Sequence, residues 1–148
     1  MTGFSHIDES GGVRMVDVGS KPLSRRRASA RARIEMKPET AARLEALPKG
    51  DALTTAQIAG VMAAKRTSEL IPLCHPLPLS SIEVDVAIVE NGADVTSTVE
   101  TTAQTGVEME ALVAASVAAL TIYDMAKAVD DGMVLSEVRL LEKTKEEV

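Results

Sequence analysis

Six ionisable side chains in largely apolar surroundings carry the chemistry this sequence can offer: Lys49, His75, Glu108, Glu110, Asp124 and Lys127. Carboxylates, lysines and a histidine in one set suit proton transfer on a polar, anionic substrate rather than nucleophilic acyl chemistry. No Gly-x-Ser-x-Gly, phosphate-binding glycine loop or dinucleotide fingerprint occurs. Two histidines and one cysteine are too few for a metal centre, so no metal ligands are assigned.

Four of the six lie on one stretch. Thr105 to Val129 reads as a single long helix, opened by Gly106, filled with alanine and leucine and free of proline. No charged residue falls between Ala111 and Tyr123, while Glu110 closes one end and Asp124 and Lys127 the other. Along such a helix Glu110 and Asp124 stand roughly 21 Å apart, yet point within about 40° of one another. Glu108 and Glu110 diverge by about 160° if both are helical, so a ligand touching both must be bracketed from two sides or the helix must begin late. Ala111, Ala115 and Ala119, with Ala114 and Ala118 beside them, allow another helix close approach. A helix apolar all round needs more cover than one small sheet gives. The expectation is a homo-oligomer with this helix at or near a subunit contact, which would also let opposite helix ends meet across a two-fold axis.

His75 sits in Ile71-Pro72-Leu73-Cys74-His75-Pro76-Leu77-Pro78-Leu79, whose prolines fix an extended, stiff loop. It either acts on a ligand or hydrogen-bonds a carbonyl and only packs; both readings stay open. Arg25 to Met36 predicts a strand, with Arg27, Ser29, Arg31, Arg33 and Glu35 on one face and Ala28, Ala30, Ala32, Ile34 and Met36 on the other. Period two puts Arg26 on the apolar side, either at a frayed end or reaching into a shared pocket. Val13 to Val18 alternates weakly and reads as a short strand after a loose arm over residues 1–12. Pro38 starts a short helix ending near Leu47. Asp51 or Thr54 caps a second helix, Ala52 to Leu70, with Ile58, Val61, Met62 and Leu70 inward and Gly60 permitting close packing. Asn91-Gly92 joins strands Ser81–Val89 and Asp94–Thr102 as a hairpin. Met133 to Leu141 is the last strand, followed by a charged, flexible tail over residues 142–148. The order from Arg25 is β-α-β-β-α-β, the ferredoxin-like α+β sandwich with an antiparallel sheet and helices on one face.

Composition sets the limits. A chain of 148 residues, 45% hydrophobic and 26% charged, reads as one soluble domain. Aromatic residues make up only 1%, which removes base-stacking platforms, and the net charge of −6 argues against nucleic acid as a partner. Lys21 to Lys49 nevertheless carries nine basic residues against three glutamates. That is either a basic face paired with an acidic one or the edge of a polyanion pocket. The lone Cys74, the absence of a signal-peptide pattern and the short uncharged helical run point to the cytoplasm and to no membrane partner.

The segments Met15-Val16-Asp17-Val18, Ala63-Ala64-Lys65-Arg66-Thr67, Leu70 to Leu77, Gln104-Thr105-Gly106-Val107-Glu108-Met109-Glu110 and Leu120 to Ala128 span nearly the whole chain. Together they resemble the molybdenum cofactor biosynthesis protein C family, the cyclic pyranopterin monophosphate synthases. The resemblance implies conversion of (8S)-3′,8-cyclo-7,8-dihydroguanosine 5′-triphosphate to cyclic pyranopterin monophosphate with release of diphosphate. It implies the ferredoxin-like fold and a hexamer, a trimer of dimers, with sites at subunit interfaces. No cofactor is firmly implied, although Mg²⁺ with the triphosphate is compatible with it. Asp124, Lys127 and Lys49 are the implied catalytic residues. Leu73, Cys74, His75, Met109, Glu110, Glu108 and Arg26 are the implied substrate-binding residues. Asp124 is the first choice for moving protons, with Lys49 and Lys127 donating protons and neutralising phosphate oxygens. Arg26 suits bidentate phosphate binding, and His75 suits the triphosphate. Glu110 and the Met109 backbone suit the guanine-derived N–H groups. Gln104 and Ala126 stand where relatives often have lysine and cysteine. Two further readings remain: a non-catalytic nucleotide- or pterin-binding oligomer, and a purely structural assembly.

Overall fold

Alternating small apolar and polar residues make β1 (Ser24–Glu35) a strand with one dry face. Ala28, Ala30, Ala32 and Ile34 are fully buried, while Arg31 and Arg33 reach the other side, where both pair with Asp94. In the computed structural model, which describes residues 4–148, β1 is a central strand of a four-stranded sheet ordered β2-β3-β1-β4. β2 is Leu79–Val89, β3 Gly92–Ala103 and β4 Val134–Glu147, and every pairing is antiparallel. The helices are α1 (Pro38–Ala41), α2 (Ala52–Lys65), α3 (Thr67–Leu70) and α4 (Glu108–Ala126). This is the expected α+β arrangement, consistent with a ferredoxin-like fold, and α2 and α4 share one core with the dry face of β1.

Several boundaries differ from expectation. The helix begun by Pro38 ends at Ala41, with turns carrying the chain to Leu47. Asp51 does cap α2, accepting from the N–H groups of Leu53 at 2.9 Å and Thr54 at 3.3 Å. The expected helix to Leu70 breaks at Arg66, where the Thr67 hydroxyl donates back to the carbonyls of Ala63 and Ala64. Residues 13–18 form no strand; Val13 makes only an isolated bridge to Ile7. Of the arm expected over residues 1–12, residues 1–3 lie outside the described residues, and residues 4–12 fold into turns around Asp8. Residues 142–147, expected as a tail, continue β4, and their charges face β1 partners in Arg27–Glu142 and Arg25–Glu146 pairs.

The inward face of α2 also differs. Ile58, Met62 and Leu70 are 57%, 46% and 58% exposed, and Val61 is only half-buried. Ala52, Ala56, Gly60, Ala63 and Ala64 face the core instead. Size decides this. A Cβ on Gly60 would stand 3.0 Å from the Ala114 carbonyl oxygen and 3.0 Å from a Val84 methyl, so α2 and α4 meet nearly backbone to backbone. The alanines of α4 are therefore used up inside the chain: Ala111, Ala114, Ala115, Ala118 and Ala119 are all fully buried. They do not offer the subunit contact the sequence suggested. Gly92 likewise opens β3 rather than making the turn, since a Cβ there would collide with the Ile34 carbonyl oxygen.

Gly60→Ala tests the close approach. Alanine gains about 1 kcal/mol of helix propensity, but overpacking against an immobile carbonyl costs about 1–3 kcal/mol. Urea denaturation is expected to show a net loss of stability.

Candidate active site

The N-terminal turn of α4 is laid down by charge rather than by a capping side chain. Val107 supplies no cap, and Glu108 and Glu110 place two carboxyl groups in the first turn, where the helix dipole favours them. Glu108 folds back over Gly106, and any Cβ at Gly106 would collide with its carboxylate. Glu110 points the other way and is only 2% exposed. Its Oε2 accepts from the Cys74 thiol at 3.7 Å, while Oε1 is buried without a hydrogen-bond partner. Burial raises the Glu110 carboxyl above its ordinary value; its own backbone N–H and the Cys74 thiol oppose the shift, and Glu108 adds to it.

The proline-bracketed loop reaches this turn from β2. The Thr101 hydroxyl anchors the Pro78 carbonyl at 2.6 Å, and the Cys74 N–H closes onto the Ile71 carbonyl. His75 donates through Nε2 to the Val16 carbonyl at 2.6 Å. The carbonyl partner foreseen for a packed histidine therefore exists, and it belongs to the N-terminal arm. Between loop, helix and arm lies a cavity of about 530 Å³. Leu73, Cys74, His75, Glu108, Met109 and Glu110 line it, so of the substrate-binding residues implied by the resemblance all but Arg26 lie together. His6, Val16, Val18 and Lys21 complete its wall from the arm, and sequence reasoning missed them. Irregular backbone has no periodicity to read; the only signal was Met15 to Val18 inside the family-like pattern. A larger, shallower hollow of about 910 Å³ runs along Phe4 to Arg14 and holds none of the candidate residues.

The other end of α4 holds the second group. Asp124 receives Lys49 Nζ on Oδ2 at 3.0 Å and Lys127 Nζ on Oδ1 at 2.9 Å. Lys127 stands at the helix C-terminus, where a cation is favoured. Lys49 is delivered by the turn in which Leu47 and Gly50 exchange backbone hydrogen bonds, held down by buried Leu44 and Leu47. Asp130 ties this region together, accepting from the Lys37 N–H, the Thr40 hydroxyl and the Gly132 N–H. Lys127 first and then Lys49 hold the Asp124 carboxyl below its ordinary value, so it stays ionised at neutral pH. All three side chains are about half exposed.

The chain thus brings the expected residues into two groups, not one. Fourteen residues of continuous helix keep Glu110 and Asp124 at opposite ends, roughly 21 Å apart along the axis. Arg26 joins neither group by contact; its Nε donates to Ser24 Oγ at 2.6 Å. It does lie opposite Thr101, on the end of the sheet from which β3 runs into α4.

Glu110 has a stability signature. Because its folded carboxyl is raised, the folded state holds an extra proton above pH 4.5, and stability falls as pH rises through that window. Glu110→Gln is expected to be more stable than the parent at pH 7 by about 1 kcal/mol. The gain should vanish below pH 4.5, as paired urea titrations at both pH values would show.

Comparison with known proteins identifies the family. The family model described as MoaC family matches residues 15–146. A Herpetosiphon aurantiacus protein named cyclic pyranopterin monophosphate synthase is 58% identical over 145 residues, covering 95% of this chain and 88% of that protein. Proteins of the same name from Novosphingobium aromaticivorans and Streptomyces coelicolor are 56% and 54% identical. They cover 97% and 95% of this chain, and 92% and 84% of their own lengths. A family model that matches residues 15–146, together with relatives 54–58% identical over 95–97% of its length, shows that the chain belongs to the MoaC family.

Proposed function

We infer that this chain is a cyclic pyranopterin monophosphate synthase, a lyase of molybdenum cofactor biosynthesis. Its substrate is (8S)-3′,8-cyclo-7,8-dihydroguanosine 5′-triphosphate, and its products are cyclic pyranopterin monophosphate and diphosphate. The observation that carries the catalytic assignment is the Lys49–Asp124–Lys127 cluster. Exposed ion pairs contribute little stability, so three charges drawn from two segments are better explained by chemistry than by folding. Asp124 remains an ionised acceptor for protons released as the rings open and close. The two ammonium groups donate protons and screen the phosphate oxygens. A cyclic phosphate forms when a substrate hydroxyl attacks the α-phosphorus and diphosphate leaves, a step in which negative charge builds beside Lys49 and Lys127.

Recognition is assigned to the cavity at the other helix end. Glu110 accepts the guanine-derived N–H groups with one oxygen already unsatisfied, assisted by Glu108 and the Met109 backbone. The Leu73–His75 segment, Arg26 and the His75 imidazole receive the ribose–triphosphate portion. Mg²⁺ belongs to this reading only as the triphosphate's counter-ion; no group of three or more His, Cys, Asp or Glu side chains arranged for a metal occurs among the described residues. A non-catalytic binder would use the same cavity but has no need of the exposed cluster. Asp124→Asn separates the two: diphosphate release should fall about 10²–10⁴-fold while binding and folding persist. Unchanged turnover would remove Asp124 from the mechanism.

The distance between the two groups makes a composite site part of the proposal. One subunit's Asp124 cluster would meet another's Glu110 cavity in a homohexamer built as a trimer of dimers. Met109 and Leu120 of α4, with Ile58, Met62 and Leu70 of α2 and α3, are exposed apolar residues that support such contacts. We place the enzyme in the cytoplasm, with no nucleic-acid or membrane partner. α4 is long and apolar enough to cross a bilayer, yet 56% of it is buried within this fold. Co-assembly of Asp124→Asn chains with Glu110→Gln chains, each severely impaired alone, is expected to restore roughly a quarter of the sites in a randomly mixed dimer. No restoration would place both groups of each site on one chain.

A further inference from the structure

Cys74 lines the cavity, and the scheme above uses only its backbone, giving its side chain no role. Its Sγ lies 3.7 Å from Glu110 Oε2, and that carboxyl is 2% exposed with its second oxygen unpartnered. A thiol is a weak donor, but among the described residues it is the only side chain hydrogen-bonded to this nearly buried carboxyl. The loop that presents it is stiffened by Pro72, Pro76 and Pro78, so the sulfur is delivered at little entropic cost.

We propose that the Cys74 thiol is a positioning residue for substrate binding: it holds Glu110 through S–H···Oε2 and leaves Oε1 ready for a substrate N–H. This rests on the reading of Glu110 as the carboxylate that recognises the guanine-derived edge. Nucleophilic chemistry by the same sulfur is disfavoured. Burial first, and the Glu110 charge second, push the thiol up to about 11, so it is protonated at neutral pH and donates rather than attacks. Donation also favours the ionised form of Glu110, against the burial and the Glu108 charge that oppose it. The other titratable groups lining the cavity are His75 on the same loop and His6 and Lys21 on the arm.

The sign of the effect follows. Substrate recognition needs ionised Glu110, so kcat/KM falls as pH drops through its titration. Removing the thiol raises that carboxyl further and moves the acid limb to higher pH.

The test uses diphosphate release by the full-length enzyme across pH, in the parent, Cys74→Ala, Cys74→Ser, Glu110→Gln and the Cys74→Ala/Glu110→Gln double variant. For Cys74→Ala we expect KM to rise about fivefold with kcat little changed and the acid limb displaced upward. Cys74→Ser, which keeps a donor, should stay within about twofold of the parent. The alanine change should add nothing once Glu110 is glutamine. An alanine variant with the parent's KM and acid limb overturns the proposal, as does a serine variant as impaired as alanine, which would mean packing alone. If Glu110→Gln itself binds substrate normally, the underlying role of Glu110 fails, and this proposal with it.

Discussion

A straight helix cannot be shortened, and α4 imposes that constraint on everything around it. Its 19 residues carry carboxylates at one end and, at the other, the Asp124 on which Lys49 and Lys127 converge, with no glycine or proline between to bend it. The rest of the chain is arranged to deliver partners to those two ends. The proline loop and N-terminal arm converge on Glu110. The Leu47–Gly50 turn and the Asp130 hydrogen bonds converge on the far end. One chain therefore holds the two groups apart at opposite ends of the helix.

The rod is held by small side chains rather than large ones. With one Phe, one Tyr and no Trp, the interior is filled by alanine, valine, leucine, isoleucine and methionine. Close backbone approach replaces bulk, as at Gly60 against Ala114. The larger side chains that do not fit, Ile58, Met62, Leu70 and Leu120, are left outside. Packing thus shapes the surface: the residues too large for a tight α2–α4 contact form exposed apolar surface, which the proposed assembly would use.

This explains which features could be read from sequence. The dry face of β1 follows from alternation, the hairpin from alternation around Asn91-Gly92 and the long helix from its alanine and leucine content without proline, and the structure contains all three. The inward face of α2 was misjudged because hydrophobicity favours Ile58 and Met62, whereas the gap admits only Ala56, Gly60 and Ala64. The end of β4 looked like a solvated tail because its charges are met across the sheet by Arg25 and Arg27, far away in sequence. The candidate residues were legible as types and as family-like motifs. Their division into two groups was already implied by counting along the helix, while the contribution of His6, Val16, Val18 and Lys21 had no periodic signature.

The two ends of α4 tune the same functional group in opposite directions. Burial raises the Glu110 carboxyl, whereas two ammonium groups lower that of Asp124. The helix dipole suits both arrangements, favouring acidic groups at the N-terminus and Lys127 at the C-terminus. Carboxyl groups separated in this way take different tasks. The buried one is expensive to ionise and gains most from a ligand that supplies N–H donors, which makes it a recognition device. The exposed one is always ionised and flanked by proton donors, which makes it suited to repeated proton traffic near a departing polyanion. In the proposed mechanism, recognition and chemistry are therefore divided along one helix by solvent access, and joining them would fall to the proposed assembly.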